Sequence, residues 1–162
     1  MAAGATYEPI ATTTVTTATA NIDFTSITGT YTDLVLIATT QIGSSGDYLG
    51  IQFNGNTSSV YSRTRLSGNG TAASSERDTS QVRINLYAQP TSNFAVNIIN
   101  IMNYSNTTTY KTILARTDQA AFSTNAYAGI YRSTSAITSI RLIGPSNFST
   151  GSTFTLYGIK AA

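Results

Sequence analysis

The sequence predicts an all-β protein, an antiparallel β-sandwich or barrel of nine to ten strands. Three observations lead there. Short apolar or alternating runs recur along all 162 residues, punctuated by Gly, Asn, Ser and Pro. The polarity comes from Thr, Ser and Asn: Thr, with ten Tyr and six Phe, favours strands, while Ser and Asn favour turns. No long segment carries the helical period of about 3.6 residues.

The elements follow in chain order. Residues 1–10, MAAGATYEPI, show no strand pattern before Pro9 and read as a flexible N-terminal arm. Tyr7 and Ile10 are its only sizeable apolar anchors. One domain then spans residues 11–162, with no linker dividing it. Residues 10–20 are a Thr-rich strand. Residues 32–42 are apolar on both faces, as in a central strand. Residues 47–55 alternate and end in Asn54-Gly55-Asn56, a hairpin signal. In residues 60–68, Tyr61, Arg63 and Arg65 share one face, opposite Val60 and Leu66. Residues 68–80 read as the longest loop. Residues 81–88 place Val82, Ile84 and Leu86 inward. Residues 94–104 are apolar, with a bulge expected where the period shifts at residues 97–100. Strands at 110–118, 126–133, 137–144 and 153–160 complete the set, with a short helical turn near 117–122. The expected core is Leu34, Leu36, Ile51, Phe53, Val82, Ile84, Leu86, Ile98, Leu114, Ile140, Leu142, Phe154 and Leu156.

Composition bounds the chemistry. There is no Cys and no His, which removes disulfides, thiolate metal sites, cysteine nucleophiles and any Ser-His-Asp triad. No cofactor is implied. Charged residues make up 10%, and nine Lys/Arg against seven Asp/Glu leave a net charge of +2. That is too weak a field for nucleic-acid binding. No signal peptide and no apolar run of membrane-spanning length are evident. Synthesis in a cytosol is therefore expected. Glu76 and Asp78 flank Arg77 as a solvated ion-pair loop, or as a weak calcium loop lacking the usual density of carboxylates. Tyr61, Arg63 and Arg65 read as a charged outer face or as a contact between subunits. Tyr7, Tyr48, Tyr61, Tyr104, Tyr127 and Tyr131 read as interface or cross-strand residues, or as a platform for stacking sugars. Asn56, Asn69, Asn103, Asn106 and Asn147 stand in Asn-x-Ser/Thr triplets and are read as unglycosylated.

The segments YEPIATTTV and IDFTSITGTYTDLVLIAT near the start resemble small virion structural proteins of tailed bacteriophages. So does the ending, IYRSTSAITSIRLIGPSNFSTGSTFTLYGIKAA. The middle fits more loosely, through IQFNGNTSSVYSRTRLSGNG and YKTILAR. Tyr131 departs from the pattern, which has tryptophan before Arg-Ser. The resemblance implies a jelly-roll sandwich without catalysis, seen in capsid decoration (cement) proteins and in C-terminal modules of tail fibres. With no heptads, collagen-like repeat or shaft, decoration is the expected role. The implied partners are further copies of the chain, as a homotrimer, and the phage major capsid protein. The implied place is the capsid exterior, after synthesis in the host bacterial cytoplasm. Tyr7, Ile10, Tyr61, Arg63 and Arg65 are the candidate contact residues. The alternative is a tail module that binds a receptor or glycan.

Overall fold

The computed structural model describes residues 6–43, 48–87, 92–119 and 121–160. They form β1 (Tyr7–Thr14), β2 (Thr19–Phe24), β3 (Asp33–Thr40), β4 (Tyr48–Phe53), β5 (Tyr61–Gly68), β6 (Ala73–Gln81), β7 (Ile84–Tyr87), β8 (Ala95–Met102), β9 (Lys111–Gln119), β10 (Ser123–Tyr131), β11 (Ile140–Phe148) and β12 (Thr153–Ile159). All pairings are antiparallel. An eight-stranded sheet runs β1-β12-β3-β8-β9-β10-β5-β6, and a four-stranded sheet runs β2-β11-β4-β7. Four of the pairs are nested: β1 with β12, β2 with β11, β3 with β8 and β4 with β7. The chain is thus one antiparallel ribbon whose successive rungs alternate between the sheets. The strands β5–β6 and β9–β10 are hairpins that join each other and widen the large sheet.

Twelve strands replace the nine or ten expected, and two differences account for the excess. The Thr-rich run at 10–20 is cut where Val15 turns into the core, so β1 and β2 lie in different sheets. The expected loop at 68–80 is largely strand β6, which pairs with β5 from Gly68 and Ala73 onward. The boundary of the arm also moves. Tyr7–Thr14 pair with Ile159–Thr153, so residues 7–10 belong to an edge strand of their own subunit. Residues 1–5 lie outside the described residues. Pro9 suits this place, because an edge strand tolerates a missing N–H. The register slips between Pro9 and Ala11, and Ile10 packs against the core.

Asn54-Gly55 does make a turn, with both residues at positive φ (53° and 63°), but β4 and β5 lie in different sheets. Asn54 then ties that corner to the β10–β11 connection, giving its amide N–H to Ala136 O at 2.7 Å and accepting Thr138 N–H at 2.8 Å. No helix occurs among the described residues, and the predicted helical turn at 117–122 is the β9–β10 turn, with Phe122 N bonded to Gln119 O.

Ten expected core residues are buried: Leu34, Leu36, Ile51, Phe53, Ile84, Leu86, Ile140, Leu142, Phe154 and Leu156. Val82, Ile98 and Leu114 are not. Val82 sits in the bend after β6. Strand β8 pairs on both sides without a register shift, so the expected bulge is absent and Asn97, not Ile98, points inward. Asn97 is fully buried and hydrogen-bonded: its amide reaches Thr40 Oγ1 at 2.9 Å, and its Oδ1 accepts from Thr117 Oγ1 at 3.1 Å. Those bonds offset the desolvation of the amide and let β8 turn Ile98 outward. The same parity on β9 turns Leu114 outward.

Candidate functional site

The residues expected at a surface patch point the other way. Tyr61, Arg63 and Arg65 do share a face, but it is the inner face of β5. Arg63 and Arg65 stand opposite Asp78 and Glu76 across the β5–β6 ladder. Arg63 Nη2 bonds Glu76 and lies 2.5 Å from Asp78, while Arg65 Nη2 meets Glu76 Oε2 at 2.8 Å. The Arg63 guanidinium lies 4.5 Å from the Tyr87 ring centroid and 5.7 Å from that of Tyr127. Burial opposes its charge, yet the two carboxylates outweigh burial and hold its pKa above the ordinary arginine value. These arginines therefore join the hairpin to the rest of the sandwich. Glu76 and Asp78 are spent on them, which removes the calcium-loop reading of this segment.

The tyrosines act similarly. Tyr61 is fully buried, stacks on Tyr131 at 4.9 Å, accepts Phe53 N–H at 3.0 Å and donates to Asn56 O at 3.0 Å. Its pKa is pushed up to about 12, chiefly by burial. Tyr127 reaches from β10 to the edge strand β7, accepting Tyr87 N–H at 2.8 Å and donating to Tyr87 O at 3.3 Å. Tyr104 donates to Thr28 O and accepts Tyr31 N–H at 3.3 Å. Burial raises the pKa of Tyr104 and Tyr127 as well. Four of the six tyrosines weighed as a platform are thus buried cross-ties, and Tyr48 is half-buried. Tyr7 is exposed on β1, edge-on to Tyr157 at 6.2 Å.

Sequence reasoning missed Lys111. It is fully buried, and its Nζ is held by three backbone carbonyls: Thr109 at 2.9 Å, Thr134 at 3.2 Å and Ser133 at 3.4 Å. Desolvation lowers its pKa. Three asparagines of the Asn-x-Ser/Thr triplets close turns. Asn56 Oδ1 accepts Ser58 N–H at 2.9 Å, Asn69 Oδ1 accepts Ala72 N–H at 2.8 Å, and Asn106 Oδ1 accepts Thr108 N–H at 2.7 Å.

The outer face of the large sheet carries exposed apolar side chains. Inner positions of β3, β8, β9 and β10 fill the core, and the alternate positions carry further apolar side chains. Ile37, Val96, Leu114 and Ile130 are 37%, 41%, 45% and 40% exposed, and Leu66 on β5 is 62% exposed. They fall into two groups, on β3–β8 and on β9–β10–β5, divided along the β8–β9 ladder where Val96 faces Asp118, Ile98 faces Arg116 and Asn100 faces Leu114. Ile37 pairs with Ile98, Leu114 with Ala128, and Ala126 with Leu66. Arg116 and Asp118 on β9 neutralise each other at 2.6 Å. Two shallow hollows mark this face. One of about 260 Å³ is lined by Ile98, Asn100 and Leu114, and one of about 650 Å³ by Leu66, Ala73 and Ala126, with Arg116 bordering both. Among the described residues, no cluster of three or more potential metal ligands occurs. Comparison with known proteins found no matching family model, no similar curated protein and no similar solved structure.

Proposed function

We propose that the chain is a non-enzymatic virion structural protein of a tailed bacteriophage, a decoration (cement) protein that bridges major capsid subunits from the outside of the shell. The observation that carries this reading is the apolar outer face of the large sheet. Solvent-exposed apolar patches beyond a few hundred Å² are rare on monomers and mark protein contacts. A rigid block with such a face is suited to mechanical bridging.

Two further features support it. The nested pairing, β1-β12-β3-β8 over β2-β11-β4-β7, supports reading the sandwich as a jelly roll extended by two hairpins, an architecture that recurs in viral shells and lectins. Every described carboxylate is engaged structurally: Glu8 by Lys160, Asp23 by Arg141, Asp33 by Asn103 N–H, Glu76 and Asp78 by Arg63, and Asp118 by Arg116. Burial of Tyr61, Tyr104, Tyr127 and Tyr131 weighs against the stacking platform of the glycan-binding alternative.

Gold-labelled antibody against this chain, imaged on virions, tests the reading. Dense label over the capsid, at hundreds of copies per particle, supports decoration. Label confined to the tail, or unlabelled virions, overturns it.

A further inference from the structure

Strand β6 is an edge with one open side. It pairs with β5 alone, and no strand lies beyond it among the described residues. From Ala73 to Asp78 its register is unbroken; the slip falls past Asp78, where Ser80 has a φ of 56°. The other edges are less open. Strand β1 carries Pro9 with a register slip beside it. Strand β7 has four residues, and the Tyr127 hydroxyl already bonds the N–H and O of Tyr87. Strand β2 pairs unevenly, across a break between Ile143 and Phe148 of β11.

We infer that β6 is a docking edge. An extended segment of another polypeptide, with an acidic residue between two basic ones, joins it as a ninth strand of the large sheet. The inference goes beyond the virion reading and does not depend on it.

The first argument is the cost of the strand. Ordering an extended segment loses backbone entropy, which apolar burial ordinarily offsets. Strand β6 buries no apolar side chain, since Ala73, its one apolar residue, is exposed. Neutralising Arg63 and Arg65 occupies only Glu76 and Asp78, yet the ladder runs on to Ala73. What the added residues supply is a continuous row of backbone N–H and C=O groups.

The second argument is access. Proteins commonly shield such a row with charged side chains along the edge. Here Glu76 and Asp78 turn inward to the arginines, and Ser74, Ser75 and Thr79 are small. Arg77 lies on the outer face opposite Thr64, exposed and without an ion pair among the described residues.

The third argument is charge, which selects the occupant. Pairing two copies of β6 about their centre at residue 77 sets Arg77 against Arg77 and Glu76 against Asp78. Like charges directly opposite each other oppose that pairing. The complement to Glu76, Arg77 and Asp78 is base, acid, base, on alternating faces. The Glu76 and Asp78 side chains keep 38% and 31% of their surface exposed, so a strand alongside can reach them.

The test is an NMR titration of the isotope-labelled full chain with the peptide TVTKEKTVT. Its pattern reads the same in both directions, so either strand orientation can form. The inference predicts saturating shifts centred on residues 73–78, with a Kd of about 1 mM or tighter. Amide exchange there should slow at least about tenfold on saturation. A probe N-methylated from its third to its seventh residue keeps the charges but cannot donate to the ladder, and it should not bind. Replacing the central Glu of the probe by Gln should weaken binding to the parent about threefold and leave binding to Arg77→Gln unchanged. No shifts at several times 1 mM, shifts centred elsewhere, equal binding of the methylated probe, or no coupling to Arg77 overturns the inference. Shifts at residues 73–78 that depend on protein concentration without any probe would assign the edge to a second copy and overturn it too.

Discussion

Tyr61→Phe isolates one hydroxyl on which two backbone groups depend. The β4–β7 ladder runs from Tyr48 with Tyr87 to Ile51 with Ile84, so Phe53 lies beyond it, and its N–H bonds to the Tyr61 hydroxyl at 3.0 Å. Removing that oxygen leaves a buried donor without its acceptor and also strips the bond to Asn56 O. Leaving a buried polar group unpaired costs about 1–3 kcal/mol, so we expect a loss near 2 kcal/mol at pH 8. For a domain of this size that lowers the melting temperature by roughly 4–8 °C. The pH dependence gives an independent check. Folded Tyr61 holds its proton to about pH 12, whereas an unfolded tyrosine releases it near pH 10. Between those values the unfolded chain binds fewer protons, so stability falls as pH rises. At pH 11 the parent loses about 1.4 kcal/mol relative to pH 8 through this group, a loss that Tyr61→Phe lacks. Tyr104 and Tyr127 add to the slope of both proteins and cancel in the difference. Urea unfolding at both pH values should therefore show the gap narrowing from about 2 to about 0.6 kcal/mol. A gap that stays constant, or a variant as stable as the parent at pH 8, refutes the assignment.

The buried amide of β8 and its outward neighbour should respond in opposite ways. Asn97→Leu should lose about 2 kcal/mol in chemical unfolding, because Thr40 and Thr117 lose its hydrogen bonds, whereas Ile98→Glu should keep its melting point within a few degrees. Equal effects would mean that the register is wrong. Arg63→Met should destabilise by about 2 kcal/mol, below the usual cost of breaking a buried pair, because Glu76 and Asp78 are partly exposed and can rehydrate; an unchanged urea midpoint would contradict the proposed role of the cluster. At Gly158 a Cβ would overlap the Tyr31 ring, so Gly158→Ala should cost about 1–3 kcal/mol by overpacking, and a calorimetric melting point equal to the parent's would count against that contact.

The all-β class and most of the core are readable because alternation and turn residues are local signals. Which face of a strand turns inward is less readable when both faces are apolar. On β8 the alternatives are Asn97-Ile99-Ile101 and Val96-Ile98-Met102. The first is buried because Thr40 and Thr117, on neighbouring strands, satisfy Asn97, and no local pattern reveals that. Arg63 and Arg65 look like surface residues for the same reason: the carboxylates that neutralise them come from the next strand. A signal was present, since Arg63-x-Arg65 and Glu76-x-Asp78 carry opposite charge at the strand period and meet as 63 with 78 and 65 with 76. Strand β6 itself is hidden by Ser-rich composition, and it forms because those cross-strand pairs hold it. The Asn54-Gly55 turn is legible as a turn, but the sheet that its second arm joins is a tertiary choice. As for the contact surface, Ile37, Val96, Leu114 and Ile130 read in sequence like any core residues; they are surplus to a core already filled by their neighbours.

Thiol labelling tests the outward apolar face most directly, because the chain contains no cysteine. Leu114→Cys places one thiol at the centre of that face, and Ser58→Cys places one at an exposed turn. If the face is covered on the shell, maleimide should react with the Leu114→Cys thiol at least about tenfold more slowly in shell-bound than in free protein, a tenfold protection corresponding to about 1.4 kcal/mol. The Ser58→Cys thiol should react at one rate throughout. Equal rates at Leu114→Cys in the free and shell-bound states would contradict the account.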